Sequence, residues 1–147
     1  MSDHPLNKVI SSFDLQSYYA GITMAFAEVV GAGCKKLALS SPYSREMAEK
    51  MLPASEVAAK EYNVRLLVEP NLLVTKLFPR DVAKDKTVIL IAHDQSVLNE
   101  YAELKRLREK SDKEGNPVKL EIEIAKRFGV LLSYDNETVN RLLAAHG

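Results

Sequence analysis

The run TVILIAHD, from Thr87 to Asp94, is the stretch that most constrains the fold of this chain. Its interior is β-branched or apolar, and polar residues stand only at its ends, which is the clearest strand pattern in the sequence. A shorter run, KKLALS at 35–40, has helical patterns on both sides, as expected of a strand buried on both faces of a parallel sheet. The two runs predict a sheet enclosed by helices.

The remaining elements follow from the spacing of apolar residues. From Asp14 onward these residues recur every three or four positions, which predicts a helix that ends at Gly31 or Gly33. A second helix is expected to begin at Ser41 or Pro42, with Pro53 as a kink or a restart. Further strands are predicted at Val64–Pro70 and 130–134, and further helices after Asp94 and after Asp135.

Two segments are ambiguous. Leu72–Phe78 could form a strand, a short helix, or a loop packed over the edge of the sheet. Val118–Phe128 alternates like a strand but also fits helical spacing. We interpret it as a helix, because Asn116 and Pro117 suit a cap and first turn and Gly129 suits a stop.

Helices and short apolar runs alternate along the whole sequence. This order predicts a single α/β domain over residues 1–147, in which residues 1–13 are flexible or loosely packed. The expected architecture is a three-layer α/β/α sandwich with a mostly parallel, Rossmann-like sheet of about four strands.

The charge balance and the cysteine count limit the classes of partner and the cellular compartment that we expect. Twenty Lys and Arg balance twenty Asp and Glu, so the chain lacks the positive field that holds nucleic acid or an anionic membrane. The single cysteine cannot form an internal disulfide, and the N-terminal residues lack the apolar core of a signal peptide, so we expect a cytoplasmic protein.

The most apolar helix, Tyr18–Val30, is too short to cross a bilayer, which needs about 20 residues. A helix that is apolar on nearly every side must be covered on nearly every side. It therefore lies in the core or joins a second copy of the chain, and Tyr18, Ile22 and Phe26 are the candidate contacts for a homo-oligomer.

Ligands of open parallel sheets bind beyond the carboxyl ends of the strands. This rule selects four corners, one after each predicted strand. In chain order, the candidate ligand-binding and catalytic residues there are Ser40, Ser41, Tyr43, Ser44 and Arg45; Glu69 and Asn71; His93, Asp94 and Ser96; and Ser133, Tyr134 and Asp135.

Two of these corners have distinct chemistry. Ser41 and Pro42 suit a helix cap, and the hydroxyls and the cation around them could also contact an anion. His93 is the best candidate for acid–base work, because histidine titrates near neutrality. Asp94 would orient its ring.

These residues support three hypotheses about function. The leading one is a protein that binds a small anionic metabolite at the strand ends, with isomerase, lyase or hydrolase chemistry at His93 if it is an enzyme. An alternative is a non-catalytic binding or assembly protein that acts through its first apolar helix. The third is a magnesium-dependent nuclease or phosphoryl-transfer enzyme built from Glu69, Asp94 and Asp135. The sequence indicates no particular cofactor, and no spacing of ligands predicts a resident metal.

Overall fold

The computed structural model describes residues 5–10 and 12–147. Its helices are α1 (Pro5–Ile10), α2 (Leu15–Gly31), α3 (Arg45–Tyr62), α4 (Gln95–Lys113), α5 (Val118–Leu131) and α6 (Asn136–His146). Its strands are β1 (Leu37–Leu39), β2 (Arg65–Glu69) and β3 (Val88–Ala92). The N-terminal segment expected to pack loosely contains α1, while residues 1–4 and 11 of that segment lie outside the described part of the chain.

The described strands form one sheet in the order β1-β3-β2. The central strand β3 runs antiparallel to both neighbours, with Leu39 opposite Leu90 in β1 and Glu69 opposite Val88 in β2. The expectation of a mostly parallel, Rossmann-like sheet of about four strands is therefore wrong. The strand positions near residues 37, 65 and 88 are confirmed, but their directions are not those of a doubly wound sheet.

The direction of β3 follows from the segment 70–87 that precedes it. A parallel connection needs a crossover, usually a helix, that carries the chain back to the end of the sheet where the previous strand began. This segment contains no helix or strand, and it begins and ends at the same end of the sheet, where Glu69 pairs with Val88. It fills the core instead, because Leu73 and Leu77 are buried in the main apolar cluster. The chain consequently re-enters the sheet in the reverse direction.

Helices cover both faces of the sheet. Val88, Leu90 and Ala92 of β3 pack in a cluster with buried residues of α4 and α5. Ile89 and Ile91 point the other way, into two smaller clusters with residues of α2 and α3. This alternation is the geometry of a strand with two buried faces. The apolar run within 87–94 is thus a core strand, since all five residues of β3 are buried.

The interpretation of Val118–Phe128 as a helix is confirmed, but the strand predicted at 130–134 is wrong. α5 continues to Leu131, and Ser133 takes a left-handed φ of 65° after it. Gly129 does not stop the helix. It lies within α5, where a β-carbon would stand 2.6 Å from Cγ2 of Val139 in α6. The apolar run after Gly129 is the last turn of a buried helix, which a short stretch cannot distinguish from a strand.

None of the helices in the described ranges is both long and apolar enough to span a membrane. The predicted end of α2 is confirmed, because the helix stops at Gly31 and Gly33 follows with a φ of 84°.

We predict that Gly129→Ala lowers the free energy of unfolding by about 1–3 kcal/mol, the usual range for overpacking a core. The added methyl group would clash with Val139, which is buried and stiff at χ1. Chemical denaturation measures the change. Adding Val139→Ala to Gly129→Ala should cost less than the sum of the two single changes. Additive losses would contradict this close approach of the helices.

Candidate functional site

The antiparallel β3 separates the four predicted corners into two groups at opposite ends of the sheet. Ser40 bonds to Ile89, near the start of β3, and Glu69 pairs with Val88 at the same end. His93, after the end of β3, donates its backbone N–H to the carbonyl of Lys36, just before β1. The corners after β1 and β2 therefore do not meet the corner after β3.

The corner after β1 is occupied by structural contacts. The Ser40 hydroxyl accepts a hydrogen bond from Ile89 N at 2.8 Å and donates one to the Ser41 carbonyl. Tyr43 is buried, its backbone pairs with Thr87, and burial raises the pKa of its hydroxyl. Arg45 forms an exposed ion pair with Glu49. These residues close the sheet and begin α3.

The cap of α3 differs from the sequence expectation. The helix begins at Arg45, and the Ser44 hydroxyl accepts a hydrogen bond from Met47 N at 3.1 Å. The start expected at Ser41 or Pro42 is wrong, because the Tyr43 backbone is committed to a β-bridge with Thr87. The helix can begin only after that bridge, and Ser44 is the first residue free to cap it.

We predict that Ser44→Ala destabilises the protein by about 0.5–2 kcal/mol, the usual cost of losing an N-cap hydroxyl. Ser41→Ala is the matched control, because no described group bonds to the Ser41 hydroxyl and this change should leave stability nearly unaltered. Denaturant titration of both variants compares the two serines. A larger loss for the Ser41 variant would place the cap at the position predicted from the sequence.

At the corner after β2, the buried carboxylate of Glu69 links the strand to α4. Glu69 is 8% exposed, and its carboxylate accepts bonds from the backbone N–H of Asn71 at 2.8 Å and from the Tyr101 hydroxyl at 2.9 Å. Lys105 forms an ion pair with the same carboxylate at 3.3 Å. Glu69 thus ties the end of β2 to α4, and Asn71 takes part through its backbone.

The corner after β3 presents an imidazole with one free nitrogen. His93 Nδ1 lies 2.8 Å from the carbonyl oxygen of Val30, at the end of α2. A carbonyl only accepts hydrogen bonds, so Nδ1 carries the proton of the neutral ring and Nε2 keeps a lone pair. The His93 side chain is exposed. Its orientation comes from Val30 rather than from Asp94.

Asp94 caps α4. Its carboxylate accepts hydrogen bonds from the Ser96 hydroxyl and from the Val97 backbone at 3.3 Å. The Ser96 bond is the main cause that lowers the pKa of the Asp94 carboxyl. Asp94 and Ser96 therefore bond to each other and to the helix start beside His93.

The last corner is a turn between α5 and α6, and it lies at the same end of the sheet as His93. The Ser133 hydroxyl accepts a bond from Lys36 N at 2.9 Å, and Lys35 Nζ lies 5.2 Å from the ring centre of Tyr134. Partial burial raises the pKa of the Tyr134 hydroxyl. Asp135 caps α6 by accepting a bond from Thr138 N at 2.7 Å.

We predict that Asp135 makes stability depend on pH in acid. Its hydrogen bonds from Thr138 lower the pKa of the folded carboxyl, so its stabilising effect is complete above the unfolded value of about 3.9. That effect disappears as the pH falls through the folded pKa. Asp135→Asn keeps a capping oxygen but does not titrate, so the gap in melting temperature between the two proteins should shrink in acid. A gap that is constant with pH would contradict this role.

A cleft opens between the end of β3, the start of α4 and the side of α5. Its volume is about 480 Å³, within the range of small-molecule sites. Its polar lining includes His93, Asp94, Ser96, Lys36 and Lys126, and Val97, Val130 and Leu131 form an apolar part. Sequence reasoning found the first three residues. It missed the two lysines, because neither belongs to a motif and only the antiparallel sheet brings Lys36 beside His93.

The charges of this cleft favour an anion. Glu100 is paired with Arg127, whose Nε and Nη2 lie 3.0 and 2.8 Å from one carboxylate oxygen. Lys36 and Lys126 are exposed, and no ion pair joins either of them to another described residue. Asp94 is the remaining acid and is held by the start of α4. Two lysines outside any described ion pair and a histidine therefore line this cleft together with one carboxylate that no described cation pairs.

The carboxylates proposed for a magnesium site do not come together. Glu69 lies at the opposite end of β3 from Asp94. No group of three or more His, Cys, Asp or Glu side chains within residues 5–10 and 12–147 is arranged to hold a metal ion.

The apolar face of α2 is only partly covered. Thr23, Ala27 and Val30 are its buried residues, whereas Tyr18 and Ile22 are half-buried and Phe26 is 37% exposed. The Tyr18 ring packs against the neighbouring rings of Phe13 and Tyr19. The candidate contacts for a homo-oligomer thus lie on one accessible side of the helix.

Fold and site define a class: an α+β protein with a three-stranded antiparallel sheet and a cationic cleft at one end of its central strand. Comparisons of the chain with protein-family models, with curated protein sequences and with solved structures found no match.

Proposed function

We propose that this protein binds a small anionic metabolite in the cleft beside His93. The observation that carries the proposal is the convergence of Lys36, His93 and Lys126 on a cleft of about 480 Å³. The ammonium groups would hold a carboxylate or phosphate by charge-assisted hydrogen bonds. A cytoplasmic location belongs to the same proposal, since the chain has one cysteine and so no internal disulfide to form.

The apolar part of the cleft limits the chemical class of ligand that can bind there. Val97 and Leu131 are buried, and Val130 is 56% exposed beside them. A short hydrocarbon or ring portion of the ligand would cover this surface, and its burial favours binding. The proposed ligand class is thus a small organic acid or phosphorylated metabolite with an apolar body.

His93 supplies the reactive group if the site is catalytic. Its Nε2 lone pair would accept a proton from the bound molecule, while Val30 holds the ring through Nδ1. The imidazolium that forms would be stabilised by the nearby Asp94 carboxylate. In an isomerase or lyase reaction this proton would come from the bound molecule, and in a hydrolase reaction His93 would take it from the attacking water.

We predict that at least one compound in a panel of organic acids, sugar phosphates and nucleotides raises the melting temperature of the protein, since ligands of the folded state stabilise it by mass action. Lys126→Gln and His93→Asn should remove this shift. The asparagine amide can still donate to the Val30 carbonyl, so that variant removes Nε2 while keeping the anchor. Differential scanning fluorimetry of each variant against its own unliganded melting temperature makes the measurement.

Arg45→Ala is the matched control, because Arg45 is an exposed cation at the opposite end of the sheet. The ligand should stabilise this variant as much as the original protein. A shift lost in Arg45→Ala but kept in Lys126→Gln would move the site to the start of α3. A folded protein that no compound in the panel stabilises would contradict the proposal.

A further inference from the structure

The open edge of β2 has hydrogen-bonding groups that the rest of the described chain does not use. In the neighbouring pair, Ile89 points its N–H and C=O toward Ser40, at 2.8 and 3.0 Å. Val68 is opposite Ile89 across the β2–β3 pair, so by the alternation of antiparallel ladders its own groups point away from β3. The same alternation turns the N–H and C=O of Leu66 outward. No backbone group from the described turns and loops bonds to either residue.

The side chains along this edge are apolar and accessible. Leu67 is 36% exposed and Val68 is 44% exposed. The opposite edge strand is different, because Leu37 and Ala38 of β1 are fully buried. An uncovered apolar edge strand is a template for pairing with another strand. The short sheet is thus closed at β1 and open at β2.

We infer that β2 pairs with β2 of a second copy of this chain, antiparallel and across a two-fold axis at Leu67. The strand reads RLLVE, and this pairing places Leu66 opposite Val68 and Leu67 opposite itself. Leu66 and Val68 are the residues with outward backbone groups, so each such pair exchanges both of its hydrogen bonds. The two sheets become one continuous sheet.

The ends of the strand are complementary in charge under this pairing. Arg65 of one copy stands opposite Glu69 of the other, on the same face of the sheet as Leu67. Opposite charges in directly facing positions stabilise a pair of strands. The Glu69 carboxylate oxygen Oε1 accepts only the Asn71 N–H among the described groups, so it retains capacity for a guanidinium donor. A second copy of β2 therefore satisfies both the backbone and the charges of this edge.

The flank of α3 adds apolar surface to the contact. α3 packs over Leu66, and its Ala59 belongs to the cluster shared with α2. Val57 is two residues away from Ala59 and so lies on the opposite side of the helix, away from α2. It is 63% exposed. Two such flanks would approach each other above the joined strands.

The inference is tested with charged residues at the two-fold axis. The original protein should be a dimer by sedimentation velocity over a concentration series. Leu67→Lys and Leu67→Glu should each raise the dimer dissociation constant by about tenfold or more, which is a loss of about 1.4 kcal/mol in the free energy of dimerisation. Like charges would then face each other in each variant. Because Leu67 is partly exposed, both monomers should remain folded, and thermal unfolding checks that they do.

Mixing the two variants tests the register. If residue 67 faces residue 67, the lysine and glutamate variants should combine into a heterodimer, which native mass spectrometry distinguishes by mass. Phe26→Glu, on the exposed face of α2, is the matched control and should leave the dimer intact. A monomeric original protein, a dimer insensitive to Leu67→Lys, or a mixture that forms no heterodimer would overturn the proposal. Loss of the dimer in Phe26→Glu alone would place the interface on α2.

Discussion

The buried carboxylate of Glu69 is the contact on which the arrangement of the sheet depends. It accepts hydrogen bonds from Asn71 N and the Tyr101 hydroxyl, and thereby fixes the point where the chain leaves β2. The Tyr101 hydroxyl in turn accepts a bond from Leu73 N, and burial strongly raises the pKa of this hydroxyl. A carboxylate this deeply buried is stable only while these partners stay in place. The segment after β2 is consequently held against α4.

A buried ion pair between α4 and α5 also holds the segment after β2 against α4. Arg108 of α4 forms an ion pair with Glu121 of α5 and donates to the carbonyl of Val74 at 3.1 Å. Ser111 completes the bonding of the Glu121 carboxylate at 2.9 Å. The segment 70–87 is therefore held by hydrogen bonds at Leu73 and Val74 and by apolar packing at Leu77. It adds to the core between the sheet and α4, and no crossover helix forms in it.

The antiparallel direction of β3 decides which residues meet at each end of the sheet, and its central place decides which strand lies at the edge. It places His93 beside Lys36, so that a histidine, two lysines and the side of α5 share one cleft. It leaves Ser40 and Glu69 at the far end, where their polar groups stabilise the fold. With β3 in the centre, β2 becomes an edge strand with accessible apolar residues. The proposed binding site thus follows from the direction of β3, and the proposed interface follows from its central place in the strand order.

By itself the sequence determined the local structure: the buried strand at residues 88–92, the apolar spacing of α2 and α5, and His93 and Asp94 where that strand meets α4. These features depend on neighbours in the chain. Strand direction, the cap at Ser44 and the helical end of α5 were decided by tertiary contacts, namely the Glu69 anchor, the Tyr43 bridge and the approach of Val139 to Gly129. Each joins residues distant in sequence or depends on packing, and a pattern of apolar spacing carries no information about such partners.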